Sequence, residues 1–294
     1  MYLLNVEEYD KVLEPLRQVP FNTLFAQSVV LRKIKGAIYV DRLSSPSAFY
    51  IIHPYGMSLL CGSTDHLPFL QALKNYLIDS EHIRRHPEWL QVFPDGWNRF
   101  IRNLINSEAS AQQEGSGSGF DSGFGNLSDR DGFRPIRENT RVNFTFDRKA
   151  FEATGPTSPK RFDIVPTSAA IFEMLNGTVS PKHYWNDAEH FLSEGIGFSL
   201  MQNDEPVSTA FSAFRIGRQM EIGIETLEHA RGKGYAIGVC RALITYCIEN
   251  GLEPVWSCRR ENEASYTLAQ NLGFVPSIHL PYYRLDVFLP IGYA

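Results

Sequence analysis

The hexapeptide RGKGYA, Arg231 to Ala236, has the residue types that hold an anion. It follows a run of β-formers, MEIGIET, and precedes a run of helix-formers. At a strand-to-helix junction the first helical turn presents unpaired N–H groups and the positive end of the helix dipole. Glycine lets backbone come close to a ligand, and Arg231 and Lys233 add charge. The same six residues also read as a tight basic turn with solvated side chains, and the hexapeptide alone leaves the two readings even. Two familiar phosphate loops are excluded by spacing. Lys233 is followed by Gly234 and not by the Ser or Thr that a Walker loop needs for magnesium. Gly232, Gly234 and Gly238 are one residue out of register for a dinucleotide fingerprint, and the strands before them read as antiparallel. In MEIGIET, strand alternation places Glu221, Gly223 and Glu225 on one face and Ile222, Ile224 and Thr226 on the other. That acidic face reads either as a reactive pair or as an exposed face meeting Arg215 or Arg218.

The elements that must position these residues are clearest from Phe162 onward. FDIVP reads as a strand. Thr167 then caps a helix running to Leu175, and Ser180 caps a second helix, PKHYWNDAEHFLSEG. Three antiparallel strands follow: Ile196–Met201, Pro206–Phe214 and Met220–Thr226, with turns at Asn203-Asp204 and Ile216-Gly217-Arg218. A helix over Ile237–Asn250, the strand PVWSC, a helix over Asn262–Leu272 and two final strands, Phe274–Ile278 and Tyr283–Phe288, complete the order.

Upstream the pattern is a smaller α+β unit. Strands are expected at Ala37–Arg42, Ala48–His53, Met57–Gly62, Trp89–Phe93 and Thr140–Phe146, and helices at His66–Ile78 and Gly96–Ile105. No catalytic constellation stands out there, and His53, His66, His82 and His86 are scattered. Between the halves, residues 107–135 crowd Gly, Ser and Asp without apolar periodicity, which predicts a long surface loop. The expected division is therefore residues 1–135, an α+β domain carrying that loop, and residues 136–294.

Bulk composition bounds the function. With 294 residues, 43% of them hydrophobic and 21% charged, the chain suits an ordinary globular protein with two domains. A net charge of −5 argues against nucleic-acid binding, which needs a basic face, and leaves a local basic patch open. No run approaches the roughly 18 apolar residues of a membrane span. MYLLNVEEYDKVLEPL lacks the basic start of a signal peptide, which leads us to expect a cytoplasmic protein. Cys61, Cys240, Cys247 and Cys258 show no metal-ligand spacing, so no metal site is expected.

R-x-x-G-x-A after an antiparallel strand, followed by helix, strand and N-x-x-S…GF, resembles the GNAT superfamily of N-acetyltransferases over roughly the last 130 residues. EIGIET…RGKGYA…PVWSC…N-x-x-S…LGF is similar, more narrowly, to the branch with zwittermicin A-resistance acetyltransferases, in which a divergent domain precedes the acetyltransferase domain. The resemblance implies a mixed, mostly antiparallel sheet flanked by helices, with a degenerate GNAT-like unit as one form of the N-terminal half. It implies acetyl-CoA as co-substrate and the amine of a small molecule as acceptor. Arg231, Gly232, Lys233, Gly234, Tyr235 and Ala236 would wrap the pyrophosphate. Ile224, Glu225 and Thr226 would pair with the pantetheine arm, and Asn262 and Ser265 would contact it. Glu221, ahead of Glu225, would serve as general base.

The family's usual tyrosine acid is missing: seven residues after Asn262 stands Ala269, leaving Tyr266, Ser265 or water. That departure supports an alternative, a non-catalytic acyl-CoA-binding or regulatory protein. His183, Tyr184 and Trp185 would border the acceptor site or belong to the core, and Cys258 has no triad-like partner for a nucleophilic role. For the N-terminal half, homodimerisation and a lid over the acceptor site are both open.

Overall fold

The computed structural model describes residues 1–115, 135–155 and 163–287. The N-terminal half runs β1 (Tyr2–Leu3), α1 (Leu13–Arg17), α2 (Leu24–Val30), β2 (Ala37–Val40), β3 (Ala48–Ile52), β4 (Met57–Gly62), α3 (Leu67–Leu77), β5 (Glu88–Phe93), α4 (Gly96–Gly115) and β6 (Ile136–Phe146). After α5 (Arg148–Ala153) the same order recurs: β7 (Ile164–Pro166), α6 (Ala169–Met174), α7 (Ala188–Glu194), β8 (Gly197–Gln202), β9 (Glu205–Ile216), β10 (Gln219–Thr226), α8 (Tyr235–Glu249), β11 (Glu253–Val255), β12 (Ser257–Arg259), α9 (Glu263–Asn271) and β13 (Phe274–Leu285). Each half is thus a strand, two short helices, a three-stranded meander, a helix, a strand, a helix and a last strand. The N-terminal half is a second, degenerate copy of the C-terminal one.

The copies exchange their last strands. The larger sheet has the order β1-β2-β3-β4-β5-β13-β6-β12. The last strand of the C-terminal half, β13, lies between β5 and β6 of the other half. β6 in turn lies between β13 and β12. β6 and β13 pair antiparallel along their length, from Phe274–Phe146 to Leu285–Ile136. The smaller sheet, β11-β10-β9-β8-β7, belongs to the C-terminal half alone. Helix α2 joins the halves: Phe25, Ala26 and Val29 are fully buried in a core shared with Phe211 and Phe214 of β9.

Several boundaries differ from expectation for local reasons. Helix α4 continues past Ile105 to Gly115, through SEASAQQE, whose Ala, Glu and Gln favour helix. The expected loop therefore loses its first turns to the helix, and residues 116–134 lie outside the described residues. Ser168, not Thr167, caps α6: its Oγ accepts from Ile171 N at 3.3 Å, while Thr167 is buried with its hydroxyl 2.9 Å from that of Ser199. The helix expected from Ser180 breaks in two. Ser180 caps only a short 3-10 turn, Pro181–His183, and Asp187 opens α7 by accepting from His190 N at 2.7 Å. The two strands expected at the end are one strand, β13, bent at an irregularity between Pro276 and Ile278. Phe162 and Phe288, at the ends of two expected strands, lie outside the described residues.

The break that matters most falls inside PVWSC. β11 pairs parallel with β10 only from Gln219–Glu253 to Glu221–Val255. At Trp256 the chain leaves the smaller sheet, and β12 joins the larger one, with Ser257 opposite Asn143. Beyond Glu221, β10 therefore has a free edge on that side, and the two sheets splay apart. The equivalent pair in the N-terminal half, β4 and β5, stays together over five residues, Met57–Trp89 to Cys61–Phe93. Among the described residues, only the C-terminal half is split in this way.

Candidate active site

The split opens into a cleft of about 820 Å³. One wall is the free end of β10, with Ile224, Glu225 and Thr226. The floor is the RGKGYA turn with the start of α8, and the far wall is one face of α9, including Asn262, Ser265, Thr267 and Asn271. Gly232 and Gly234 both have left-handed backbone, at φ +75° and +79°, where other residues are strained. A side chain at either would meet nothing within 4 Å, so their backbone faces open space. Gly234 precedes α8 and supplies no side-chain cap to that 15-residue helix. A concave run of backbone amides at an uncapped helix start is a seat for phosphate. Arg231 lines the cleft and donates from Nε to the Thr226 carbonyl at 3.1 Å, tying the loop to the strand end. Lys233 does not line the cleft; its ammonium lies 5.9 Å from the Tyr235 ring. The residues present fit a coenzyme A pyrophosphate.

Asn262 is also a helix cap. Its Oδ1 accepts from Ser265 N at 3.1 Å, and the Ser265 hydroxyl accepts from Trp256 Nε1 at 3.3 Å. The cleft thus gathers ten of the residues named from the sequence: Ile224, Glu225, Thr226, Arg231, Gly232, Gly234, Tyr235, Ala236, Asn262 and Ser265.

The two strand carboxylates have separate surroundings. Glu225 Oε1 accepts from the backbone and hydroxyl of Thr178, at 3.1 and 3.0 Å, and Oε2 accepts from Val179 N at 2.8 Å. It clamps the loop after α6 against the mouth of the cleft, and Gly177 fits there because a Cβ would overlap the carboxylate. Glu221 is buried at 5% exposure and lies outside the cleft lining. Its Oε1 accepts from Ser257 Oγ at 2.6 Å and Arg141 Nη2 at 3.2 Å, and its Oε2 accepts from Asn22 Nδ2 at 2.8 Å. With about four acceptor sites on a carboxylate, one remains on Oε2. Neither Arg215 nor Arg218 is its partner: Arg215 bonds the Glu194 carbonyl and Arg218 the Gly251 carbonyl.

The other expected side chains divide between core and wall. Tyr266 is outside the cleft lining; its ring packs on Phe144 at 5.3 Å under the Arg260 guanidinium. Ala269 is fully buried. Tyr184 and Trp185 are core residues. Tyr184 packs on Tyr55, Phe211 and Phe214, and Trp185 donates from Nε1 to the Ser212 carbonyl at 2.7 Å. His183 stacks on Tyr55. The four cysteines are free and buried, and burial pushes the Cys258 thiol up, away from a reactive thiolate. Among the described residues no group of three or more His, Cys, Asp or Glu could hold a metal ion, and no helix is long and apolar enough to cross a membrane.

Sequence reasoning missed the residues that reach the site from a distance. Asn22, Arg141 and Ser257 around Glu221 come from three separate segments, and no local pattern marks them. Thr178 and Val179 follow an ordinary helix-ending Asn-Gly, and Thr267 lies one helical position beyond Tyr266.

A meander, a split sheet and a glycine loop leading into a helix at the floor of the cleft are the frame of the site. The chain belongs to the GNAT acetyltransferase family, whose model matches residues 15–283, and is by class an acyltransferase. It is 26% identical over 257 residues to the uncharacterized N-acetyltransferase YdfB of Bacillus subtilis (strain 168), with 85% of each chain covered. Among solved structures, its fold is similar to a GCN5-related N-acetyltransferase-like protein from Streptococcus suis 89/1591. That match has a TM-score of 0.67 at 21% identity and covers 95% of this chain and 99% of that one. A tandem GNAT protein from the clavulanic acid biosynthesis pathway matches with a TM-score of 0.58 at 9% identity, over 96% of this chain and 97% of that one. The tandem architecture agrees with the duplicated element order.

Proposed function

We propose that the chain is an acetyl-CoA-dependent N-acetyltransferase whose acceptor is a primary amine of a small molecule. The observation that carries this reading is the pair of left-handed glycines, Gly232 and Gly234, facing open space at the uncapped start of α8, beside the free edge of β10. Pyrophosphate suits the amides, and the edge of β10 suits an extended pantetheine arm, which would add to it like a strand. Lys233 and Ser265 belong to the cofactor side of this reading, Lys233 by charge alone.

Bound there, the thioester supplies an activated acetyl carbon, to which a neutral amine nitrogen forms a C–N bond as the C–S bond breaks. The amine arrives as an ammonium ion and must lose a proton. We assign that proton, relayed through water because the carboxylate lies behind the cleft lining, to Glu221 Oε2, whose remaining acceptor site is not taken by Ser257, Arg141 or Asn22. Ser257, Arg141 and Asn22 fix the carboxylate in place. Glu225 holds the loop at Thr178 and Val179 and keeps the mouth of the cleft in shape. The sulfur leaves with the C–S electron pair and takes a proton from water or from a hydroxyl on the cleft face of α9, Ser265 or Thr267, and the second proton that the nitrogen sheds as the amide forms restores that donor through solvent. One proton is released overall.

Isothermal titration with acetyl-CoA tests the reading directly. Saturable binding that is lost on reversing the loop charge with Arg231→Glu is expected. No binding at millimolar ligand by folded protein overturns it. A second reading, an acyl-CoA-binding protein without turnover, draws on Tyr266 and Ala269, neither of which offers a hydroxyl to the cleft. Tight cofactor binding with no acetylation across a broad amine panel would favour it.

A further inference from the structure

Four neighbouring strands, β5, β13, β6 and β12, each send basic or aromatic side chains to the face that carries Ser257. Trp89 comes from β5, Tyr282 and Arg284 from β13, Arg141 from β6 and Arg259 from β12. The Trp89 and Tyr282 rings stack with centroids 4.9 Å apart. The Arg259 and Arg284 guanidinium groups lie 4.7 and 5.4 Å from the Trp89 ring, and that of Arg141 lies 5.1 Å from Tyr282. Arg284 is paired with Asp286 at 2.7 Å, and Arg141 with Glu221. Arg259 is not neutralised. Among the described residues its guanidinium makes no hydrogen bond or ion pair, only the contact with Trp89. Arg141, 8% exposed, also has a buried Nε with no acceptor. The Arg141 Nε–H is a cationic donor buried without an acceptor, which is costly, and the half-buried Arg259, opposite Arg141 on the neighbouring strand, adds an unpaired guanidinium; together they point to an anion.

The cluster adjoins the reaction site. Ser257, two residues before Arg259 on the same face of β12, donates to Glu221. Asn262 N, at the cleft, donates to the Arg259 carbonyl at 3.0 Å.

We propose that Arg259 and Arg141, framed by Trp89 and Tyr282, grip an anionic group on the acceptor, so that the acceptor is an amine that also carries a carboxylate or phosphate. The planar guanidinium fork suits both groups, and the rings keep it oriented. Trp89 makes the N-terminal half part of acceptor recognition. The proposal rests on the acetyl donor occupying the cleft beside β10.

The test is a matched acceptor panel with acetyl-CoA. A ladder of ω-amino acids is compared with the same compounds as carboxamides, and phosphoethanolamine with ethanolamine. Acid-bearing amines are expected to be favoured in kcat/KM by roughly tenfold or more, the range for a hydrogen bond to a charged group. Arg259→Gln is expected to remove that preference through KM, and Arg259→Lys to restore part of it, with acetyl-CoA affinity retained. The carboxylate and phosphate arms show which anion is read. Equal use of the neutral counterparts, no transfer to any acid-bearing amine by acetyl-CoA-bound protein, or an unchanged preference in Arg259→Gln overturns the proposal. Failure of acetyl-CoA to bind overturns the cofactor reading instead.

Discussion

Glu221 and Glu225 sit four residues apart on one face of one strand, and the tertiary structure gives them different surroundings. Glu225→Gln is expected to loosen the Thr178–Val179 loop, costing about 1–3 kcal/mol of stability. Glu221→Gln is expected to lower kcat at least about 100-fold, the usual span for a general base, while acetyl-CoA affinity stays. Single-turnover rates beside calorimetry separate the two. His53 gives a pH signature. It is fully buried against Tyr184 and Phe214, its Nδ1 accepts from Tyr55 N, and burial lowers it from 6.5 to about 3. Between those values the unfolded chain binds a proton that the folded chain refuses. Stability therefore falls as pH drops through 6.5 and keeps falling toward 3, by up to about 1.4 kcal/mol per pH unit. Urea midpoints across that range should flatten in His53→Phe. At Asp41, burial raises the carboxyl, but hydrogen bonds from Ser47, Ala48 and Arg42 outweigh it and bring it to about 2. That contribution is present above the ordinary 3.8 and disappears only as pH falls through about 2.

At the scale of elements, the loop between β10 and α8 is shaped by two glycines in left-handed backbone, Gly232 and Gly234. Gly234→Ala forces an alanine into left-handed backbone, which costs about 1–2 kcal/mol. A shift of the loop out of its concave shape should weaken acetyl-CoA binding, seen by calorimetry, beyond any loss of thermal stability. Much of this was legible in the sequence, because glycine spacing, strand alternation and helix caps are local properties. β4, spanning Met57–Gly62, matches its expected bounds. The helix from Ser180 does not, because Asp187 is a better cap than interior helix residue and Trp185 is held by Ser212 across the sheet. PVWSC reads as one strand from side-chain preference alone. Its division at Trp256 depends on which neighbours the two halves of the segment find, and these lie on different sheets.

At the scale of the whole molecule, the exchanged strands make the halves interdependent. β13 completes the N-terminal half against β5, and α2 covers β9. We therefore expect a fragment of residues 136–294 to lack a cooperative unfolding transition by circular dichroism, since it loses the β5 partner of β13 and the cover of Phe211 and Phe214. Phe25→Ala in the intact chain should cost about 3–5 kcal/mol, the range for emptying a buried aromatic site. Among the described residues, the N-terminal half has no counterpart to the candidate cleft. The turn after its β4, Ser63-Thr64-Asp65, carries no basic glycine loop, and its strand pair stays closed.

The sequence by itself determined the local pieces of the candidate site. A strand, two glycines and a helix start follow one another between Gln219 and Tyr235, and each is set by short-range sterics and hydrogen bonding. Only the tertiary structure decided the rest. Trp89, Arg141, Arg259 and Asn22 come together with Glu221 because two sheets meet, and such contacts between distant residues leave no periodicity for a single sequence to display.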